Sequence, residues 1–201
     1  MNYLICIIIG YFFGCINFAY IISKIKGFDI REKGSGNAGA SNVTIALGWG
    51  YGALTAILDI LKGFLAVTVC RNLFPDLIVA PYLAGACAVV GHIFPFYMHF
   101  KGGKGFASYM GMLLAFSWKL ALAMAVVTIV VTLITNYISL ATLSVSVITP
   151  ADYLNKGLEM LPLLILVALM LLIIYKHKIN IQRIINHEEI GLRDSGNHRV
   201  K

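Results

Sequence analysis

Cations and hydroxyls set among glycines, between apolar runs, are the residues of this chain best suited to chemistry. One stretch is Gly34-Ser35-Gly36-Asn37-Ala38-Gly39-Ala40-Ser41-Asn42. The other is Gly91-His92-Ile93-Phe94-Pro95, leading into Phe100-Lys101-Gly102-Gly103-Lys104-Gly105. Glycine lets backbone N–H groups crowd around an anion, and lysine supplies the charge. In so hydrophobic a chain, such loops point to a phosphate-bearing substrate handled at a membrane surface. Gly34-x-Gly36-x-x-Gly39 satisfies the dinucleotide string, but no strand is predicted before it, and Ala40 stands where a Walker A loop carries lysine. What remains is an anion-cradling backbone with Ser35, Asn37 and Asn42 as polar arms. Around Lys104 the three glycines argue for close phosphate contact, because an anchoring lysine needs no backbone freedom.

A third polar element lies near the C-terminus. His177-Lys178-Ile179-Asn180-Ile181-Gln182-Arg183 reads as helical. At 100° per residue His177, Asn180, Arg183 and His187 form one stripe beside Ile181, Ile184 and Ile185. Both an interfacial helix with a solvated polar face and a phosphate grip satisfy that pattern, and Glu189 is placed to brace a cation. Asp59 and Lys62 lie one turn apart inside an apolar run, either as a self-neutralising pair or as part of a site. No metal site is expected: His92 and His99 lack ligands at suitable spacing, and nine scattered acidic residues form no carboxylate cage. There is no Ser-His-Asp spacing, nucleophile elbow or carboxylate pair. The inventory of cations, N–H donors and hydroxyls suits catalysis by positioning and by stabilising developing negative charge, without a covalent intermediate or a cofactor.

The elements that must hold these groups are apolar. The chain has 201 residues, 59% hydrophobic and 12% charged, against about 25% charged in a soluble domain. Tyr3–Ser23 carries no charge, and its basic flank follows it, so it reads as a retained helix rather than a signal peptide. The expected fold is all-α: one domain over 1–201, a polytopic membrane bundle of about seven segments at 3–23, 51–70, 78–97, 105–116, 118–135, 138–150 and 160–176. With the N-terminus outside, twelve Lys/Arg fall on the cytoplasmic side and Arg71, Lys119 and Lys156 on the outer side, so the polar loops and the C-terminus face the cytoplasm. The basic face then reflects topology and anionic lipid, not nucleic acid. Residues 106–116 and 139–149 are too short to cross, at about 16 Å each. Such short helices end where a cavity or an ion needs them, 106–116 with its positive end beside Lys104 and the other with Ser139 and Thr142 at its start. Gly10-x-x-x-Gly14 permits close helix packing. Cys6, Cys15, Cys70 and Cys87 are read as core residues, and 194–201 as a disordered tail.

Taken together, Gly34–Asn42, Gly91-His92 through Gly105, Asp59-x-x-Lys62-Gly63, Tyr137-x-Ser139-Leu140 and His177-x-x-Asn180-Ile181-x-Arg183 closely resemble the bacterial acyl-phosphate:glycerol-3-phosphate acyltransferases. The resemblance implies a monomeric seven-helix enzyme of the inner membrane with a cytoplasmic site. It implies acyl transfer from acyl phosphate to the 1-hydroxyl of glycerol 3-phosphate, giving lysophosphatidate and phosphate. Carried over residue by residue, it gives Ser35, Lys104 and His177 as catalytic. Asn37, Gly102, Gly103, Gly105, Ser139, Thr142, Asn180, Arg183 and Glu189 become substrate-binding. Lys104, the Gly102–Gly105 backbone and Ser35 would take phosphate and oxyanion; His177, Asn180 and Arg183 would hold glycerol phosphate. The His-x4-Asp of other glycerolipid acyltransferases is absent. Three positions depart from the pattern: Ile45 replaces an arginine, Asn136 a frequent basic residue, and His187 a glycine. A paralogue with another phosphorylated acceptor, or a carrier of a phosphorylated metabolite, fits the same loops.

Overall fold

In the computed structural model, described over residues 1–157 and 159–193, every regular element is helical. Ten α-helices follow in order: α1 (Asn2–Cys15), α2 (Phe18–Ile25), α3 (Ala40–Leu47), α4 (Trp49–Leu73), α5 (Ala80–Ile93), α6 (Phe106–Phe116), α7 (Trp118–Thr135), α8 (Ile138–Asn155), α9 (Met160–Lys176) and α10 (Lys178–Ile185). Single 3-10 turns occupy Ile30–Glu32 and Phe96–Met98. The tail expected to be disordered, 194–201, lies outside the described residues.

Among the described residues, four stretches are long and apolar enough to cross a bilayer: Asn2–Ile25, Trp49–Leu73, Ala80–Met98 and Trp118–Thr135. The pair α9 and α10, bent by 50° at His177, passes the same test only when the two are joined, as a broken span or a re-entrant loop. Two expectations change. The first apolar run is not one continuous helix. Asn17 interrupts it, its Oδ1 accepting from Tyr20 N (2.9 Å) and its Nδ2 donating to Ala38 O (3.2 Å). A side chain that caps α2 and pins a remote loop outcompetes one helical turn. Second, the segment expected to stop at 150 runs on to Asn155 through Pro150. Proline forfeits one ladder bond but keeps a helical φ, so α8 spans 18 residues, about 27 Å. Of the two short helices expected, only α6 is short, with 11 residues.

Close backbone approach organises the bundle. Gly10 and Gly14 face Ala84 and Ala88 of α5, where any Cβ would run into the α5 backbone. Without a hydrophobic drive between helices in lipid, such small-residue contacts supply van der Waals packing. Gly63 of α4 meets Ser108 and Gly111 of α6 meets Ile60 in the same manner. The main core, around Val67, Val89, Ile93, Tyr109, Met112, Val145 and Ile173, ties α4, α5, α6, α8 and α9 together. Leucine and isoleucine remain exposed on the outer faces of α1, α4, α7 and α9, as lipid-facing helices require. The cysteines are free, three of them buried.

Candidate active site

The connection 26–39, the loop 94–105 and the segment 177–193 converge at one end of the bundle, and each is fixed by its own polar bonds. In the first connection Asn42 is the organiser. Its Oδ1 accepts from Ser35 N (2.8 Å), and its Nδ2 lies among the carbonyls of Ile30 (2.9 Å), Lys33 (2.9 Å) and Asn37 (3.0 Å). Asn42 is fully buried. It is therefore a tie within the loop and not a polar arm toward a ligand, which corrects the sequence expectation. Asp29 pairs with Arg31 (2.7 Å) and Lys24 (3.5 Å), and Arg31 donates to Met98 O (2.9 Å), joining the first loop to the second. The hydrogen bond from Arg31 holds the Asp29 carboxyl well below the usual carboxylate range.

The second loop folds back on α5. Gly102 N donates to Ile93 O and Gly103 N to His92 O, both at 3.0 Å. Tyr97 OH donates to Cys15 O (2.8 Å) and Tyr11 OH to Phe94 O (2.9 Å). Gly105, at φ 88°, starts α6 in a conformation that favours glycine. The free N–H groups of the first turn of α6, with the positive end of its dipole, lie at the cavity that Gly105, Phe106 and Ala107 line.

In the third segment, His177 Nδ1 donates to Ile173 O (2.8 Å), so its Nε2 is left toward the cavity it lines. Asn180 links two partners: its Oδ1 accepts from Lys104 Nζ (2.5 Å) and its Nδ2 donates to Glu189 Oε1 (2.5 Å). Ser139 Oγ also donates to Glu189 Oε1 (3.3 Å). Burial lowers the Lys104 ammonium to about 8, with Glu189 pulling it upward and Arg183 and Lys176 pushing it further down. Beyond α10 the chain turns back, with Leu192 N donating to Asn136 O (2.8 Å) and Arg193 N to Asn136 Oδ1 (2.9 Å), so 190–192 close over the cavity.

Two cavities meet here. One, about 410 Å³, runs from Ser35, Lys104, His177, Asn180 and Arg183 toward Ala53, Ala56, Ile60, Phe106 and Met110. The other, about 700 Å³, is lined by Asp29, Arg31, Glu32, His99, Lys101 and Lys176. Ser35, Asn37, Lys104, Asn180 and Arg183 line both. Of the twelve expected site residues, Ser35, Asn37, Lys104, Gly105, Ser139, Thr142, His177, Asn180, Arg183 and Glu189 line the first cavity, and Gly102 lines the second. Gly103 lines neither; it is buried against His92. His187 leaves the expected stripe, because α10 ends at Ile185 and His187 stands exposed at φ 59°, where glycine would be at ease. Ile45 puts an apolar wall in the first cavity. Sequence reasoning left Asp59 undecided and weighed His92 only as a metal ligand within the second stretch, yet both line the cavity. Their signal was present as ionisable residues inside apolar runs.

The fold and the convergent cationic loops define a helical membrane protein with an anion-binding site where two cavities meet. The family model described as Glycerol-3-phosphate acyltransferase matches residues 4–187. A relative named Glycerol-3-phosphate acyltransferase 1 from Oceanobacillus iheyensis is 40% identical over 200 residues, 96% of each chain. The Aquifex aeolicus glycerol-3-phosphate acyltransferase is 36% identical over 189 residues, 94% of this chain and 98% of the relative. A crystal structure of PlsY, an integral membrane glycerol 3-phosphate acyltransferase, in its glycerol 3-phosphate form superposes with a TM-score of 0.90 at 35% identity, covering 96% of both chains. The lysophosphatidic acid form gives 0.87 at 34% identity, covering 98% of this chain and 100% of that one. This chain belongs to the glycerol-3-phosphate acyltransferase family.

Proposed function

We propose that the protein transfers an acyl group from acyl phosphate to the 1-hydroxyl of glycerol 3-phosphate, releasing lysophosphatidate and inorganic phosphate. The observation that carries this reading is the junction of the two cavities. An apolar channel suits an acyl tail, a polar vestibule suits a small dianion, and the residues they share are anion-binding groups. Arg183, whose guanidinium has no partner among the described residues, faces both.

In this reading the acceptor hydroxyl oxygen attacks the acyl carbonyl carbon. Negative charge grows on the carbonyl oxygen, and the carbon–oxygen bond to phosphate breaks. Lys104, the N–H groups at the start of α6 and Ser35 stabilise the leaving phosphate and the oxyanion. His177, Asn180 and Arg183 hold glycerol 3-phosphate, with Glu189 and Ser139 keeping Asn180 in place and Asn37 and Thr142 lining its sides. A mixed anhydride is already activated, so the acceptor's own phosphate takes the hydroxyl proton. All these groups come from one chain, so a monomer suffices. In this reading the site faces the cytoplasm in the bacterial inner membrane, and the charge asymmetry of the loops supports that orientation.

The test uses purified protein with acyl phosphate and glycerol 3-phosphate, measuring phosphate and lysophosphatidate together. Equimolar products, abolished in Lys104→Ala, are expected. Product without phosphate release excludes this chemistry, and an indispensable carboxylate acting as base refutes proton transfer to the acceptor phosphate.

A further inference from the structure

Beneath the glycine loop lies a buried group of charges to which the mechanism above gives no task. Lys62 Nζ stands 2.7 Å from Asp59 Oδ1, 2.7 Å from Ile16 O and 2.8 Å from His92 Nδ1. Asp59, Lys62 and His92 are 1%, 2% and 3% exposed. The Ile16 carbonyl is available because Asn17 ends the helical ladder there. The ammonium thus hydrogen-bonds the Ile16 carbonyl and the His92 ring nitrogen, and forms an ion pair with Asp59, whose Oδ1 makes no hydrogen bond among the described residues.

This arrangement fixes the His92 tautomer. If Lys62 is an ammonium, it donates to Nδ1, and the imidazole proton must sit on Nε2. If the proton has moved to give an imidazolium, Nε2 carries a hydrogen as well. The third assignment, a neutral amine accepting from Nδ1–H, leaves the Asp59 carboxylate buried without a cation, which is the costly case. An Nδ1–H turned to Asp59 Oδ1, 3.5 Å away, would set that N–H against the Lys62 ammonium at 2.8 Å, two donors facing each other. The assignments that pair the carboxylate without this clash put a hydrogen on Nε2.

That hydrogen has no partner among the described residues. His92 lines the first cavity, and a Cβ on Gly103 would collide with its Nε2. Nε2 therefore lies at the root of the loop that carries Lys104. We propose that His92 is a further substrate-contacting residue of this acyltransferase site, presenting an Nε2–H donor to a negatively charged substrate oxygen, with Asp59 and Lys62 as the positioning pair that enforces the tautomer. This rests on the reaction proposed above. The oxygen belongs either to a substrate phosphate or to the developing acyl oxyanion, and the two share the chemistry that a fixed donor recognises.

Two substitutions separate this role from mere support of Lys62. Asparagine places an amide near Nδ1 and can still accept from Lys62, but it withdraws the cavity donor. Glutamine places an amide near Nε2 and can restore the donor. The expected result is that H92N loses about a hundredfold to a thousandfold in kcat/KM, while H92Q recovers at least half of that loss on a logarithmic scale. A fall confined to KM for glycerol 3-phosphate assigns the donor to the acceptor phosphate; a fall in kcat assigns it to the acyl oxyanion. H92N equal to or better than H92Q overturns the proposal. ¹⁵N NMR of imidazole-labelled wild-type protein decides the matter if a variant does not fold. His92 is expected as the Nε2–H form, perturbed by glycerol 3-phosphate or by a non-hydrolysable acyl phosphonate. A bare Nε2, or no response to either ligand, overturns it. Because that spectrum needs no turnover, it judges His92 even if wild-type protein makes no lysophosphatidate and the proposed reaction falls.

Discussion

Lys104 should set an alkaline limit on activity. Burial depresses its ammonium to about 8, against an ordinary lysine near 10.4. In the free enzyme it is about nine-tenths charged at pH 7 and about one-tenth at pH 9. The substrate phosphates lose their last proton near pH 6 and stay dianionic throughout this range. Only the protein cation changes, so kcat/KM should fall about tenfold between pH 7 and pH 9. A bound dianion stabilises the ammonium, so kcat should keep its plateau to higher pH than kcat/KM does. The assay is initial-rate lysophosphatidate formation from pH 6.5 to 9.5, corrected for spontaneous acyl phosphate hydrolysis.

Three variants test the assignment to Lys104. Lys104→Arg carries a permanent charge, so its activity will be lower because a planar fork replaces a point donor, but the limb near pH 8 should vanish. Glu189→Gln removes the carboxylate that pulls the Lys104 value upward, so the limb should move to lower pH. Lys104→Met should lose about 10²–10³ in kcat/KM. A flat wild-type profile to pH 9.5, or the same limb in Lys104→Arg, would refute the assignment of the limb to this lysine.

Other perturbations test the surrounding structure. Ile45→Arg adds a cation to the wall of the first cavity, and KM for glycerol 3-phosphate should drop at least threefold in steady-state assays. Gly14→Leu forces a side chain into the Ala88 backbone; thermal unfolding in detergent should reveal a loss of about 1–3 kcal/mol or more. Asn42→Ala strips Ser35 N and three loop carbonyls of their partner. It should reduce both stability and kcat/KM, whereas Asn37→Ala should chiefly raise KM.

What could be read from residue order alone was what depends on local composition. Apolar runs declare the helices that must dissolve in lipid, since no water is available there to satisfy a bare backbone. Glycines beside Lys104 and Ser35 declare loops that can come close to an anion. The stripe of His177, Asn180 and Arg183 follows from helical period, and it holds as far as α10 lasts. Two of the failures share one cause, a partner outside the local helical turn. Asn17 breaks the first run because Ala38 O is there to receive its amide. Asn42 turns inward because the carbonyls of Ile30, Lys33 and Asn37 surround it.

His92 shows the same limit in sharper form. Considered alone it is a histidine in an apolar helix, with no metal-binding neighbour at a suitable spacing. Its tautomer is set by Lys62, thirty residues earlier, through a contact of 2.8 Å. Lys62 in turn has that geometry only because Asn17 releases the Ile16 carbonyl to it. The helix break, the buried ion pair and the loop holding Lys104 are thus one connected device. A substitution at Asn17, remote from any substrate, should loosen the first loop through Ala38 and unseat Lys62 through Ile16 at the same time. Asn17→Leu tests this: if the device is connected, kcat/KM falls and the His92 imidazole signal shifts together. An unmoved His92 signal alongside lost activity would mean that the two effects are separate.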